Sequence, residues 1–383
     1  MKFLFASAHC LNDNSSGAAI SMLTLLKALA KEGHSVIALG GTVFDTQTAA
    51  GKHGAPWYGL QPSQTASYLV DGVRHVLVRT RHWDRRLMLS AEEEVLDLTY
   101  RTILDKEAPD VVLTYGGMVL ERGFLAEAKS RGIKTVFRLV NPSYPFKFIF
   151  NDVDHIVTDS QETAKLYKDR LDINLDVLGA LIDPDSFRTA RPAPEYVTFV
   201  NPQPAKGASM VARLALMCQK HLPDVRFLVI ESRGRWKPSI ESMGLKSEDF
   251  PNVTVWPMQS DMRKVYACTK VLLLPSFWHE SGGRVALEAM INGIPVLAES
   301  QGGAKELLRG GGTLLDISAE VRAKPDRLVS ETDARLWFAA LKALLSNKRH
   351  YERASTRALK AAEGYTLPAQ IRRFLDVVGL PQS

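Results

Sequence analysis

Between residues 275 and 290 the chain reads Pro275-Ser276-Phe277-Trp278-His279-Glu280-Ser281-Gly282-Gly283-Arg284-Val285-Ala286-Leu287-Glu288-Ala289-Met290. An apolar run ends here, a glycine pair turns the chain and a helix-forming stretch follows, so a buried strand, a loop and a helix are expected in that order. Gly282 and Gly283 let the backbone approach a ligand, and the start of the helix offers free N–H groups suited to an anion such as a diphosphate. Glu280 falls in the loop and Glu288 about one turn inside the helix. Two carboxylates then border a phosphate-sized site, and each can accept hydrogen bonds from sugar hydroxyls.

These residues need a scaffold, and the rest of the chain supplies its pattern. Residues 2–8 are an apolar run, the loop from His9 to Ser16 is polar, and Ala19, Leu23, Leu26 and Ala30 mark one helical stripe. Gly33 suits a helix C-cap, and Ser35-Val36-Ile37-Ala38-Leu39 follows as a strand, which makes a parallel βαβ crossover. Ser90 is expected to cap a helix with Glu92, Glu93 and Glu94 in its first turn, and strands are expected at 111–114, 134–140, 155–158 and 175–178. The stretch Arg188–Glu195, with Pro192 and Pro194, reads as a linker, so a boundary is placed near residue 190. Beyond it strands near 196–200, 226–230, 253–256, 271–274 and 294–298 alternate with helices near 207–221, 260–268 and 284–292. The expectation is an α/β protein of two doubly wound domains, 1–190 and 191–363, with a C-terminal helix in 364–383 that packs back on the first. Two such domains leave a cleft at the carboxyl ends of their strands, where ligands of open α/β sheets bind.

The segment around Glu280 and Glu288 resembles the retaining GT-B glycosyltransferases of the family 4, or group 1, type, in which a glutamate, seven residues and a second glutamate recur. The resemblance extends to Asn292-Gly293-Ile294-Pro295-Val296 and to Gly302-Gly303-Ala304-Lys305-Glu306-Leu307-Leu308. Weaker matches are Gly17 with Gly33-His34-Ser35-Val36, Asp154–Ser160, and Asp183-Pro184-Asp185-Ser186-Phe187. It implies the GT-B architecture of two Rossmann-like domains, the first for the acceptor and the second for a nucleotide-sugar donor. Glu280 would then contact donor-sugar hydroxyls. The backbone of Gly282, Gly283, Arg284 and Val285 would meet the diphosphate or sugar, and Glu288 the ribose. Gly17, at the first helix, would let amides meet the diphosphate, although Ser16 stands where the family often has a second glycine and can instead cap the helix.

Lys206-Gly207 resembles the family's lysine that neutralises the departing diphosphate, a role a fixed cation suits. The chain departs from the family twice. The arginine usual about five residues before that lysine is replaced by Asn201, which leaves Arg284, Arg233 and Arg235 as substitutes, with Arg284 ranked first. The histidine usual after the strand at 135–140 is replaced by Arg138-Leu139-Val140-Asn141-Pro142. Asn141 and His9 are candidates for the sugar side, while His9 reads equally as a core or capping residue and Arg138 as an ion-paired strand residue.

Composition sets the remaining bounds. The 383 residues are 45% hydrophobic and 23% charged, as in globular proteins. The net charge of +6 permits an anionic ligand or membrane surface and gives no reason to expect nucleic acid. Cys10, Cys218 and Cys268 lie far apart, which argues against a zinc site or disulfide framework. No metal site or cofactor is expected, and Asp183-Pro184-Asp185 reads as a turn. Asn12, Asp13 and Asn14 interrupt the opening apolar run too early for a signal peptide, so a cytoplasmic protein is expected. The basic cluster at 74–86 is a candidate for peripheral contact with the inner face of a membrane, and its alternative is a solvated basic helix face. The aromatics Tyr144, Phe146, Phe148 and Phe150 read as ordinary core residues or as a second such contact.

The function expected is sugar transfer from a nucleotide-sugar, a UDP- or GDP-sugar, to an unidentified acceptor: a glycan, a lipid-linked molecule or a small molecule. The family resemblance implies retention through an oxocarbenium-like, front-face step without a metal. The rival readings are a nucleotide-sugar epimerase or hydrolase, and a noncatalytic sugar-nucleotide-binding protein.

Overall fold

The computed structural model describes residues 1–50, 55–191 and 193–379. Pro192 of the expected linker and the last four residues of the expected C-terminal helix lie outside the described residues. The chain divides into two units, Met1–Leu181 together with the C-terminal stretch from Leu367, and Ile182–Thr366.

The first unit is built on an eight-stranded sheet: β1 (Lys2–His9), β2 (Ser35–Val43), β3 (Thr65–Val70), β4 (Val73–Val78), β5 (Val111–Thr114), β6 (Lys134–Leu139), β7 (His155–Thr158) and β8 (Asp176–Val177), in the order β3-β4-β2-β1-β5-β6-β7-β8. Every pairing is parallel except β3 with β4. Strand β1 shows why a near-continuous apolar run makes a central strand, because helices cover both faces of a parallel sheet. Phe3 and Phe5 face one core with Leu25 and Leu29, while Leu4 and Ala6 face another with Leu96 and Phe124. The helix Leu367–Val377 buries Ile371 and Phe374 in the first of these cores, and the Phe374 ring lies 6.0 Å from that of Phe3.

The β3–β4 hairpin falls where the sequence suggested a basic helix face. Val73, His75 and Leu77 alternate inward along β4, and this period of two is that of a half-buried strand. The cluster's charges are largely spoken for: Arg74 pairs with Glu107, Arg85 with Glu93 and Arg86 with Asp84, each at 2.5 Å. The helix Ser90–Glu107 begins at Ser90 instead of being capped by it. Glu92 accepts from the Leu89 amide at 2.9 Å and from the Arg81 amide at 2.6 Å, so its buried carboxylate caps the helix and anchors the preceding loop.

The second unit is built on six parallel strands: β9 (Tyr196–Val200), β10 (Phe227–Ile230), β11 (Val253–Trp256), β12 (Thr269–Leu274), β13 (Val296–Glu299) and β14 (Thr313–Leu315), in the order β11-β10-β9-β12-β13-β14. Successive strands leave β9 in opposite directions, to β10 on one side and β12 on the other. The carboxyl ends of β9 and β12 therefore flank a topological switch point. The 188–195 stretch belongs to this unit and is tied to it by Arg191. Its guanidinium donates to the carbonyls of Thr269 at 2.7 Å and Asn292 at 3.0 Å, and to the Tyr351 hydroxyl at 2.8 Å.

Candidate active site

At that switch point two loops are clamped together. After β9 the chain forms a short 3-10 turn, Pro204–Lys206, that ends at Gly207 with φ +88°, and the helix Ala208–His221 follows. Only glycine fits here. The left-handed backbone is one reason, and a Cβ at Gly207 would overlap the Pro275 carbonyl is the other. The Ala205 carbonyl accepts from the Phe277 and Trp278 amides, both at 3.0 Å. These contacts press the Lys206 turn onto the loop that follows β12.

As a result the Lys206 ammonium lies 2.6 Å from Glu280 Oε1, and the Ser276 hydroxyl donates to the same oxygen at 2.8 Å. Burial opposes ionisation of Glu280. The Lys206 charge and hydrogen bond, the Ser276 hydroxyl and the Arg233 charge outweigh it and hold the carboxyl below its ordinary range. The Glu280 backbone is fixed as well: its carbonyl accepts from the Gly303 amide at 2.6 Å, and a Cβ on Gly302 would come within 2.7 Å of that carbonyl.

Gly283, at φ +53°, ends the loop and starts the helix Arg284–Ile291, with Gly282 buried just before it and Val285 half-buried in the first turn. The start of this helix is the anion-favouring end. Glu288 is buried one turn in, and both of its oxygens have partners: Oε2 accepts from the Tyr266 hydroxyl at 2.6 Å and Oε1 pairs with Arg284 at 3.3 Å. Burial, reinforced by the Glu288 charge, pushes the Tyr266 phenol far above its ordinary pKa, which keeps it a hydrogen-bond donor. The Ser281 hydroxyl and the Gln301 side-chain oxygen, both buried, have no hydrogen-bond partner among the described residues. Glu299, at the end of β13, pairs with Arg322 at 2.6 Å, yet burial pushes its carboxyl up to about 7.

The structure thus joins Lys206, Glu280, Gly282, Gly283, Arg284, Val285 and Glu288 in one constellation. Arg284, ranked first to supply extra positive charge, faces Glu288. Arg235 faces Glu231 at 3.6 Å, and Arg233 is the arginine whose charge acts on Glu280. Asn201 takes a left-handed backbone (φ +63°), and its Oδ1 accepts from the Gly234 amide at 2.8 Å. Ser276 and Tyr266 were not singled out from the sequence. Ser276 stood inside the quoted segment, whereas nothing local to Tyr266 signals a partner 22 residues away.

Gly17, His9 and Asn141 belong to the first unit. Gly17 opens the helix Gly17–Lys31, and a Cβ there would meet nothing within 4 Å. Ser16 occupies the N-cap position, with no hydrogen bond from its side chain to the helix. His9 ends β1 with its Nδ1 buried and without a hydrogen-bond partner among the described residues; its ring centroid lies 6.2 Å from that of Tyr115, and Asn141 is exposed after β6. Arg138 is fully buried and ion-paired to Asp159. Among the described residues no group of three or more His, Cys, Asp or Glu side chains is placed to hold a metal ion, and no helix is long and apolar enough to cross a membrane.

Two Rossmann-like units of parallel strands define the GT-B fold, and solved glycosyltransferases share it along nearly the whole chain. Sucrose-phosphate synthase from Thermosynechococcus elongatus superposes with a TM-score of 0.73 at 15% identity, over 98% of this chain and 97% of that one. The Anabaena protein HepE, solved with UDP and glucose, gives 0.68 at 14% identity over 98% of both chains. At these identities the likeness establishes the fold. Residues 195–347 match the family model "Glycosyl transferases group 1". A D-inositol 3-phosphate glycosyltransferase from Segniliparus rotundus is 30% identical over 182 residues, 41% of this chain and 40% of the relative. The chain spans less than half the length of the curated relatives it matches.

Proposed function

We propose that this chain is a retaining, metal-independent glycosyltransferase that moves a sugar from a UDP- or GDP-sugar to an acceptor. The second unit would hold the donor and the first would recognise the acceptor. The observation that carries this reading is the Lys206–Glu280 pair, seated beside the start of the helix that holds Glu288. The ammonium would take up charge on the departing diphosphate as the sugar–oxygen bond breaks. Glu280, kept ionised, would accept hydrogen bonds from the donor sugar, the Arg284–Ile291 amides would meet the diphosphate, and Glu288 would accept from the ribose. The group 1 match over residues 195–347 supports the donor assignment, as does a fold shared with a protein solved with UDP and glucose. The acceptor would be a glycan, a lipid-linked molecule or a small molecule, and the inositol phosphate in the relatives' names puts a phosphorylated polyol among the first to try.

Product analysis tests the reading. Purified protein is incubated with each sugar nucleotide, with and without an acceptor pool, and the products are resolved by mass spectrometry and NMR. The proposal expects a glycosylated acceptor with the donor's anomeric configuration, in the presence of a chelator. An isomerised sugar nucleotide formed without acceptor would mean an epimerase, and donor binding with no turnover across the pool would mean a binding protein.

A further inference from the structure

The stretch from Tyr144 to Phe150 divides its aromatics between two surroundings. Tyr144 and Phe150 turn into a core with Phe137 and Tyr167. Phe146 and Phe148 stay outside it, their rings stacked with centroids 5.4 Å apart. The helix Val119–Ser130 starts beside them, and the two segments touch: a Cβ on Gly117 would lie 3.0 Å from the Tyr144 ring and 3.2 Å from the Ile149 side chain. Met118 and Val119 follow that contact and share a helix face with Arg122, one turn on, whose guanidinium lies 5.2 Å from the centre of the Phe148 ring. All four apolar side chains are open to solvent, from 49% exposed at Phe148 to 73% at Val119.

We infer that Met118, Val119, Phe146 and Phe148 form a docking face for an anionic lipid bilayer, held there by the charges of Arg122, Lys147 and Arg170. None of these three cations is in an ion pair among the described residues: Arg122 stacks on Phe148, Lys147 donates to the Asp172 carbonyl at 3.3 Å and Arg170 to the Tyr144 carbonyl at 2.7 Å. The nearby Asp172 carboxylate pairs with Lys168. Arg122 and Phe148 also line a cavity of about 290 Å³ with Asn151 and Asp152, and the Arg122 Nε is buried with no hydrogen-bond partner among the described residues. A protein partner would have to bring acids matched to each cation, whereas headgroups supply phosphates wherever the side chains reach, and exposed aromatics sit well at headgroup level. The segment first expected to make such a contact, 74–86, has Arg74, Arg85 and Arg86 in ion pairs and part of its length in β4. The patch lies on the loops after β5 and β6, at the carboxyl edge of the first sheet, where Asn141 also lies. A docked bilayer would bring lipid-linked acceptors to that edge, a consequence that rests on the transfer reading; the docking itself does not.

The test is co-sedimentation of the full chain with vesicles of phosphatidylcholine alone and of equal parts phosphatidylcholine and phosphatidylglycerol. The parent should partition onto the mixed vesicles roughly tenfold or more above phosphatidylcholine, and about 0.5 M salt should erase most of that preference. Phe146→Ser combined with Phe148→Ser should weaken partitioning about tenfold, and Arg122→Gln combined with Lys147→Gln about five- to thirtyfold. Arg74→Gln combined with Arg86→Gln removes the same net charge from the paired cluster and should stay within about threefold of the parent. Each variant is compared below its own unfolding midpoint. A parent that sediments equally with both vesicles, or with neither, overturns the inference, as does a loss in the Arg74 and Arg86 variant equal to that in the Arg122 and Lys147 variant. A parent that stays off the vesicles and forms a dimer dispersed by the phenylalanine substitutions overturns it in favour of a second copy. Vesicle binding needs no sugar nucleotide, so it can fail while transfer succeeds, and the reverse.

Discussion

Lys206 Nζ lies 2.6 Å from Glu280 Oε1, although the residues are 74 positions apart in the chain. The contact depends on Gly207 fitting under the Pro275 carbonyl and on Ala205 holding the Phe277 and Trp278 amides. The pair is mostly shielded from water, so each partner compensates a charge that burial alone would penalise.

Removing one partner strands the other. Lys206→Met should cost about 2 kcal/mol or more in urea unfolding because it leaves Glu280 uncompensated. The double variant Lys206→Met with Glu280→Gln should recover much of that stability and none of the transfer activity. Equal stability of the single and double variants would contradict this coupling.

The Tyr266 hydroxyl holds Glu288 in place from inside the core. Tyr266→Phe should cost about 1–3 kcal/mol, as expected for a buried hydrogen bond to a charged group. Affinity for nucleosides should weaken with it, because the Glu288 carboxylate would be oriented by Arg284 alone. Unfolding midpoints and nucleoside titrations measured on the same preparation decide the point.

Two glycines expected near the donor should behave differently. Gly207→Ala meets both a left-handed backbone and the Pro275 carbonyl, so a loss of about 2 kcal/mol or more is expected. Gly17→Ala meets open space at a helix start and should change stability by no more than about 1 kcal/mol. Any activity lost in Gly17→Ala then reports close approach of a ligand. Matching stability losses in the two variants would count against this distinction.

Glu299 gives the pH signature. Its carboxyl is raised to about 7 in the folded chain and ionises nearer 4.5 when unfolded, so the folded state binds the extra proton between those values. Stability from this group is therefore present below about 4.5 and is lost as pH rises toward 7. Glu299→Gln removes that dependence. Relative to the parent, the variant should gain stability between pH 5 and pH 8, by an amount on the order of 2 kcal/mol. Parallel stability curves for parent and variant would show that the Arg322 pair fully offsets burial.

Much of the architecture was legible because buried parallel strands are written as apolar runs. Residues 2–8, 111–114 and 196–200 are such runs, and all three are central strands. The β3–β4 hairpin was hidden because Arg74, His75 and Arg79 read as a charged surface, and only the strand period sends His75 inward. Glu280, Gly283 and Glu288 were legible as a contiguous segment. Two partners that hold them were not, since Ser276 and Tyr266 reach the carboxylates only in the folded unit. Asn201 read as a missing arginine, and its left-handed backbone and bond to Gly234 exist only in the folded unit.

The most direct test of the donor site is the thermal midpoint of the parent and of Glu280→Ala against a full panel of nucleotides and sugar nucleotides. A ligand at about 100 times its dissociation constant adds roughly 2.7 kcal/mol, a readily measured shift. The account predicts that one sugar nucleotide stabilises the parent and that Glu280→Ala loses part of that response while keeping its response to the bare nucleotide. A panel in which no sugar nucleotide shifts the parent would contradict it.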